Sequence, residues 1–129
     1  MSTGPQIDNA GYVNVWVGVL PKDRVEEFVE ILKVSAQVMR DSGALAVVDG
    51  CGEDIPYGNL TSFPRAVMLD QSANEVVWCQ QTYYTSKAHS EAVDAKYMAD
   101  ARIAAMADTP MPYDGKRVFY AGFEIKALG

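Results

Sequence analysis

Histidine is the only side chain whose ordinary pKa lies near neutrality, and this chain has one, His89. It stands in Ser86-Lys87-Ala88-His89, at the start of a helical stretch. A Ser86 cap puts His89 in the first turn, where the positive end of the helix dipole disfavours imidazolium. A neutral imidazole there can act as a general base. It can equally cap or pack, since one histidine without a motif defines no chemistry. Arg65, in Ser62-Phe63-Pro64-Arg65-Ala66-Val67, can grip a carboxylate through its guanidinium fork. It can also pair internally with Asp49, Glu53 or Asp54. Tyr84, shortly before His89, can aim its hydroxyl into the same cleft or pack with a satisfied tip. Asn14 is polar among apolar strand neighbours, which makes it a partnered buried amide or a pocket group. His89 is thus the candidate catalytic residue, and Arg65, Tyr84 and Asn14 are the candidate ligand-binding residues.

Other chemistries find no support in the residues. One histidine, two separated cysteines and scattered acids give no ligand spacing for a metal, so no metal and no cofactor is expected. The glycines form no phosphate-cradling fingerprint, and no GxSxG nucleophile motif occurs. Cys51 and Cys79 fall in predicted neighbouring strands, which leaves a contact open; the reading is two buried free thiols. Acids outnumber bases by 17 to 11, for a net charge of -6, against the basic stripe that nucleic-acid binding needs. Asp114-Gly115 followed by Lys116-Arg117 reads as a turn and then surface charge. The start, MSTGPQIDNA, has neither a basic opening nor an apolar run, and no stretch is long and apolar enough for a membrane span. The expectation is a cytoplasmic protein.

These residues must be positioned by a single domain over 11–129 behind a flexible extension at 1–10, as the 129-residue length allows. Tyr12 to Leu20 reads as a strand, with Val13, Val15, Val17 and Val19 on one face and Tyr12, Asn14, Trp16, Gly18 and Leu20 on the other. Lys22 to Ser42 has helical spacing, with Val25, Phe28, Val29, Leu32, Ala36 and Met39 sharing a face. Gly43 is a natural left-handed terminator. Strands follow at Ala44–Gly50 and Glu75–Thr85, with 61–68 open between a short helix and an edge strand. Ser86 caps a helix at Lys87–Met98, Asp100 caps another at Ala101–Ala107, and Arg117–Ala127 is the last strand.

Strand, helix, strand, strand, helix, strand is the split βαβ order. The fold class is therefore α+β, a ferredoxin-like βαββαβ unit with a four-stranded antiparallel sheet and both helices on one face. A sheet of this kind normally shows one polar face, but here neither face of the central strands is polar. Exposing Trp16, Trp78 and Tyr120 together would make an apolar patch. Covering that face with a second copy resolves the conflict, so Trp16, Trp78 and Tyr120 are the candidate dimer-interface residues of a homodimer.

Several blocks carry a resemblance: Thr61-Ser62-Phe63-Pro64-Arg65-Ala66-Val67, Ser86-Lys87-Ala88-His89, Met98-Ala99-Asp100 with Arg102, and Met111-Pro112-Tyr113-Asp114-Gly115-Lys116-Arg117 running into Tyr120-Ala121-Gly122-Phe123-Glu124. In this order they resemble the YbaA-like family of small bacterial proteins of unknown function, with Tyr113 and Ala121 standing where Phe and Gly are expected. The resemblance implies a ferredoxin-like dimeric α/β barrel and no established activity. That superfamily also holds cofactor-free monooxygenases, isomerases, haem-degrading enzymes and plain binding proteins, and fold does not select among them. The leading expectation is a homodimer that binds a small molecule without catalysis. The alternative is a cofactor-independent enzyme, monooxygenase- or isomerase-like, acting through His89 on a small substrate, aromatic or not. Haem binding ranks last, because the haem-degrading members carry their ligand histidine late in the second helix and His89 opens it.

Overall fold

The computed structural model describes residues 7–55 and 74–129. The alternating valines and aromatics of Tyr12–Pro21 form β1, and Pro21 ends it. A 3₁₀ turn at Lys22–Arg24 leads into α1, Val25–Asp41, whose first turn carries Glu26 and Glu27 at the positive end of the dipole. Gly43 breaks the helix with φ 118°, a left-handed value that suits a residue without a Cβ. The remaining elements are β2 (Ala46–Cys51), β3 (Glu75–Tyr84), α2 (Lys87–Ala99), α3 (Ala101–Ala104), a 3₁₀ turn at Gly115–Arg117 and β4 (Phe119–Glu124). The sheet order is β2-β3-β1-β4 with every pair antiparallel, the ferredoxin-like arrangement. Three elements differ from the periodicity: β2 begins two residues later, α3 is a single turn, and β4 stops at Glu124.

Register fixes which side chains share a face. Trp16 lies opposite Gln80 and Tyr120, and Gly18 opposite Trp78. Trp16, Trp78 and Tyr120 therefore do share one face, but α1 covers it. Phe28 of α1 meets Trp78 with ring centroids 5.2 Å apart and Trp16 at 6.1 Å. Trp78 is buried, while Tyr120 stays exposed on the edge strand β4. This corrects the expected partner-facing surface: the two tryptophans belong to the helix–sheet core. The physical reason is that both faces of β1 are apolar, so alternation alone does not say which face the helices take.

The opposite face carries Val13, Val15, Val17 and Val19 of β1, Val77, Cys79, Gln81 and Tyr83 of β3, Val48 of β2, and Phe119, Ala121 and Phe123 of β4. Val19 and Val77 form a small buried cluster there, whereas Val48, Phe119 and Phe123 are about half exposed, at 49%, 48% and 54%. On the helix side, Leu20, Phe28 and Trp78 form one core cluster and Ala44, Tyr84 and Val93 another.

Cys51 lies opposite Trp78 and Cys79 opposite Gly50. One residue of offset sends the two thiols to opposite faces, so both are free. They are not deeply buried as expected: Cys51 is exposed and Cys79 half-buried. Arg117 is not surface charge either. Its guanidinium pairs with both carboxylate oxygens of Glu75 and, through Nε, with Asp114 at 2.9 Å, with 16% of its side chain exposed.

Candidate functional site

Phe28, Ile31, Leu32 and Ser35 recur at helical spacing and make one stripe along α1. Beneath that stripe lies a cleft of about 170 Å³. Trp16 and Gln80 form its floor on the sheet, Tyr97 of α2 one wall, and Met106, Met111 and Tyr113 the remaining side. Three of its rings, Trp16, Phe28 and Tyr113, interlock, and Trp78 packs behind Phe28. Tyr113 meets Trp16 edge-on at 4.9 Å and Phe28 at 5.9 Å, and Phe28 meets Trp78 edge-on. Such tilted pairs match positive ring edges to negative ring faces.

The Tyr113 wall is pinned by its neighbours. The Asp114 N–H donates to the Val19 carbonyl at 3.0 Å, and the Asp114 carboxylate accepts from the Lys116 N–H at 2.9 Å. Arg117 then ties Asp114 to Glu75 at the start of β3. The hydrogen bonds from Lys116 and Arg117 hold the Asp114 carboxyl below its usual range.

Polar groups in the cleft are few. The Ser35 and Tyr97 hydroxyls share a hydrogen bond of 2.8 Å. One Asp49 oxygen accepts from Trp78 Nε1 at 2.9 Å and from Gln80 Nε2 at 3.0 Å. Among the described residues, no lining residue is an acid or a base other than tyrosine. An apolar pocket with a few converging polar groups is the usual form of a small-molecule site.

The residues singled out in the sequence gather elsewhere. Ser86 caps α2 as expected, its hydroxyl accepting from the His89 N–H at 3.0 Å. His89 Nδ1 accepts from the Thr85 N–H at 2.9 Å. Nδ1 therefore holds a lone pair already in use, and the ring proton of the neutral form sits on Nε2. This arrangement suits a capping and packing histidine. The His89 ring meets Tyr84 edge-on at 5.8 Å. Tyr84 is 1% exposed, its hydroxyl donates to Met39 Sδ at 3.8 Å, and the Asn14 side chain also bonds that hydroxyl. Burial pushes the Tyr84 phenol far above its ordinary range, with Asp94 and Tyr120 adding to the effect. Asn14 is the partnered buried amide of the two readings. The structure thus brings half-buried His89 against buried Tyr84 and its partner Asn14, and none of them lines the cleft. Arg65 lies outside the described residues, as does the question of helix or strand at 61–68. Among the described residues no group of three His, Cys, Asp or Glu side chains is placed to hold a metal, and no helix is long and apolar enough to cross a membrane.

Of the cleft residues, only Trp16 was a candidate site residue in the sequence, and for another role, while Phe28 and Leu32 were read as the apolar face of α1. Gln80, Tyr97 and Met106 come from separate parts of the chain and form no motif, and Met111 and Tyr113 entered only through the block that carries the family resemblance. Ser35 gave a usable signal: a polar residue seven positions after Phe28, on the apolar stripe of α1.

Fold and site together define a ferredoxin-like α+β domain with an aromatic cleft between helices and sheet. The chain belongs to the family described as protein of unknown function (DUF1428), whose model matches residues 11–115. It is 34% identical over 113 residues to the uncharacterized protein YbaA of Escherichia coli strain K12, covering 88% of this chain and 94% of that protein. The uncharacterized protein YbaA of Shigella flexneri matches to the same extent. Among solved structures, an uncharacterized NIPSNAP domain protein from Burkholderia xenovorans superposes with a TM-score of 0.58 over 92% of this chain and 97% of that one, at 17% identity. At that identity the likeness is one of fold. The family resemblance read from the sequence is thereby established.

Proposed function

We propose that this protein is a cytoplasmic homodimer that binds a small apolar molecule, of about one aromatic ring, in the cleft beneath α1, without catalysis. The observation that carries the reading is the cleft itself: about 170 Å³, walled by Trp16, Phe28, Tyr97 and Tyr113, with no charged residue along it among the described residues. A cavity of about 150 Å³ lined by apolar side chains is enough to hold benzene. The commitment of His89 Nδ1 to Thr85 supports binding over general-base catalysis. The valine and phenylalanine face of the sheet supports dimerisation, because a contiguous exposed apolar patch on a small domain marks an interaction surface. Free Cys51 and Cys79 suit a reducing compartment.

Thermal unfolding with and without toluene tests the binding reading. A ligand selective for the folded state at 100 times its Kd adds about 2.7 kcal/mol to stability, so a rise of several degrees in Tm is expected. An unchanged Tm at the solubility limit of toluene counts against a ring-sized apolar site.

A further inference from the structure

From the same cleft we infer a ligand class: an uncharged aromatic ring bearing one hydrogen-bond donor, a hydroxyarene or N–H heteroarene, recognised by the side-chain carbonyl of Gln80. This rests on the binding reading above and narrows it.

The direction of the Gln80 amide follows from its partner. Asp49 as a carboxylate can only accept. The Gln80 NH₂ therefore faces Asp49 Oδ1, at 3.0 Å. The same oxygen accepts from Trp78 Nε1 at 2.9 Å, so the carboxylate is held from two sides and in turn fixes the amide. With its nitrogen so bound, the Oε1 oxygen is the acceptor that Gln80 has left, and Gln80 lines the cleft. Gln80 is half-buried, and an acceptor beside an apolar cleft favours a ligand that can donate to it over one that only accepts. The other polar feature, the Ser35–Tyr97 hydroxyl pair at 2.8 Å, spends one donor internally. Among the described residues no cation faces the cleft to hold an anionic ligand, and desolvating a carboxylate without a partner is costly. The Trp16 and Tyr113 rings, 4.9 Å apart and tilted by 74°, already pack edge to face, and a ligand ring extends that packing in a way a chain cannot.

Heteronuclear NMR titrations of the full chain with phenol, toluene, benzonitrile and benzoate test the inference. Phenol and toluene are nearly the same size and differ in the donor. Benzonitrile only accepts. The expected order is phenol tighter than benzonitrile, with benzoate not bound. In Gln80→Met, toluene still binds, which shows an intact cleft, while the phenol-to-toluene preference falls about 10-fold, one net hydrogen bond. Benzoate or benzonitrile binding tighter than phenol to the parent chain overturns the inference without any variant. So does a preference for phenol that survives in Gln80→Met and is lost in Ser35→Ala. Failure of all four probes to bind defeats the underlying binding reading instead.

Discussion

Val15→Asp decides which face of the sheet meets a second copy. Val15 is half-buried in mid-β1, opposite Gln81 on β3 and Ala121 on β4, on the face away from the helices. In an isolated chain the new carboxylate reaches water, and the fold loses on the order of 1–2 kcal/mol. In a dimer closed over this face, two carboxylates enter a dry interface, each at a cost of several kcal/mol without a partner. Taking about 3 kcal/mol per copy gives about 6 for the pair, or roughly 10⁴ in Kd. Sedimentation velocity at micromolar protein should show the parent as a dimer and Val15→Asp as a folded monomer. Trp16→Ala, one residue along and facing α1, should lower stability and disturb the cleft while leaving the dimer in place. A Val15→Asp protein that sediments as a dimer, or a parent that sediments as a monomer, refutes the reasoning.

The other predictions concern single side chains. His89→Ala removes the acceptor of the Thr85 N–H and should cost about 1 kcal/mol in urea unfolding. His89→Gln, which keeps a carbonyl in reach, should be nearly neutral, and both should bind toluene like the parent. The Asp94 carboxyl is raised above its usual range by burial and then by Glu91. A raised carboxyl supports folding most below its unfolded pKa and loses that support as pH rises through the folded value. Asp94→Asn should therefore be more stable than the parent at neutral pH, with the difference shrinking below about pH 4 in pH-dependent melts. Asp41 and Asp100 shift the other way, each held down chiefly by hydrogen bonds from Arg102. Their support is present above the unfolded value and lost as pH falls through the folded one, so Arg102→Gln should flatten the parent's acid limb below about pH 4.

Much of the frame was legible because local chemistry dictated it. The valine alternation, Pro21, Gly43 and the Ser86 and Asp100 caps each act within a few residues, and all stand where the sequence put them. The side of the sheet taken by the helices was not legible. Both faces of β1 are apolar, so alternation shows two faces without saying which is covered. The cleft was illegible for a different reason. Gln80 matters because Asp49, 31 residues earlier in the chain, holds its amide, and Ser35 because Tyr97 lies 62 residues on. Such pairs exist only after folding. Arg117 was misread because adjacency to Lys116 suggested surface charge, while its partner Glu75 stands 42 residues away.

Methyl NMR of methionine-labelled protein tests the central claim most directly. Met106 and Met111 line the cleft, whereas Met39 contacts Tyr84 in the separate packed cluster and Met98 is exposed. Titration with toluene or phenol should move the Met106 and Met111 methyl signals along saturable curves and leave those of Met39 and Met98 in place. Signals of Met106 and Met111 that stay fixed at millimolar ligand, or saturable shifts confined to Met39 or Met98, contradict a binding site beneath α1.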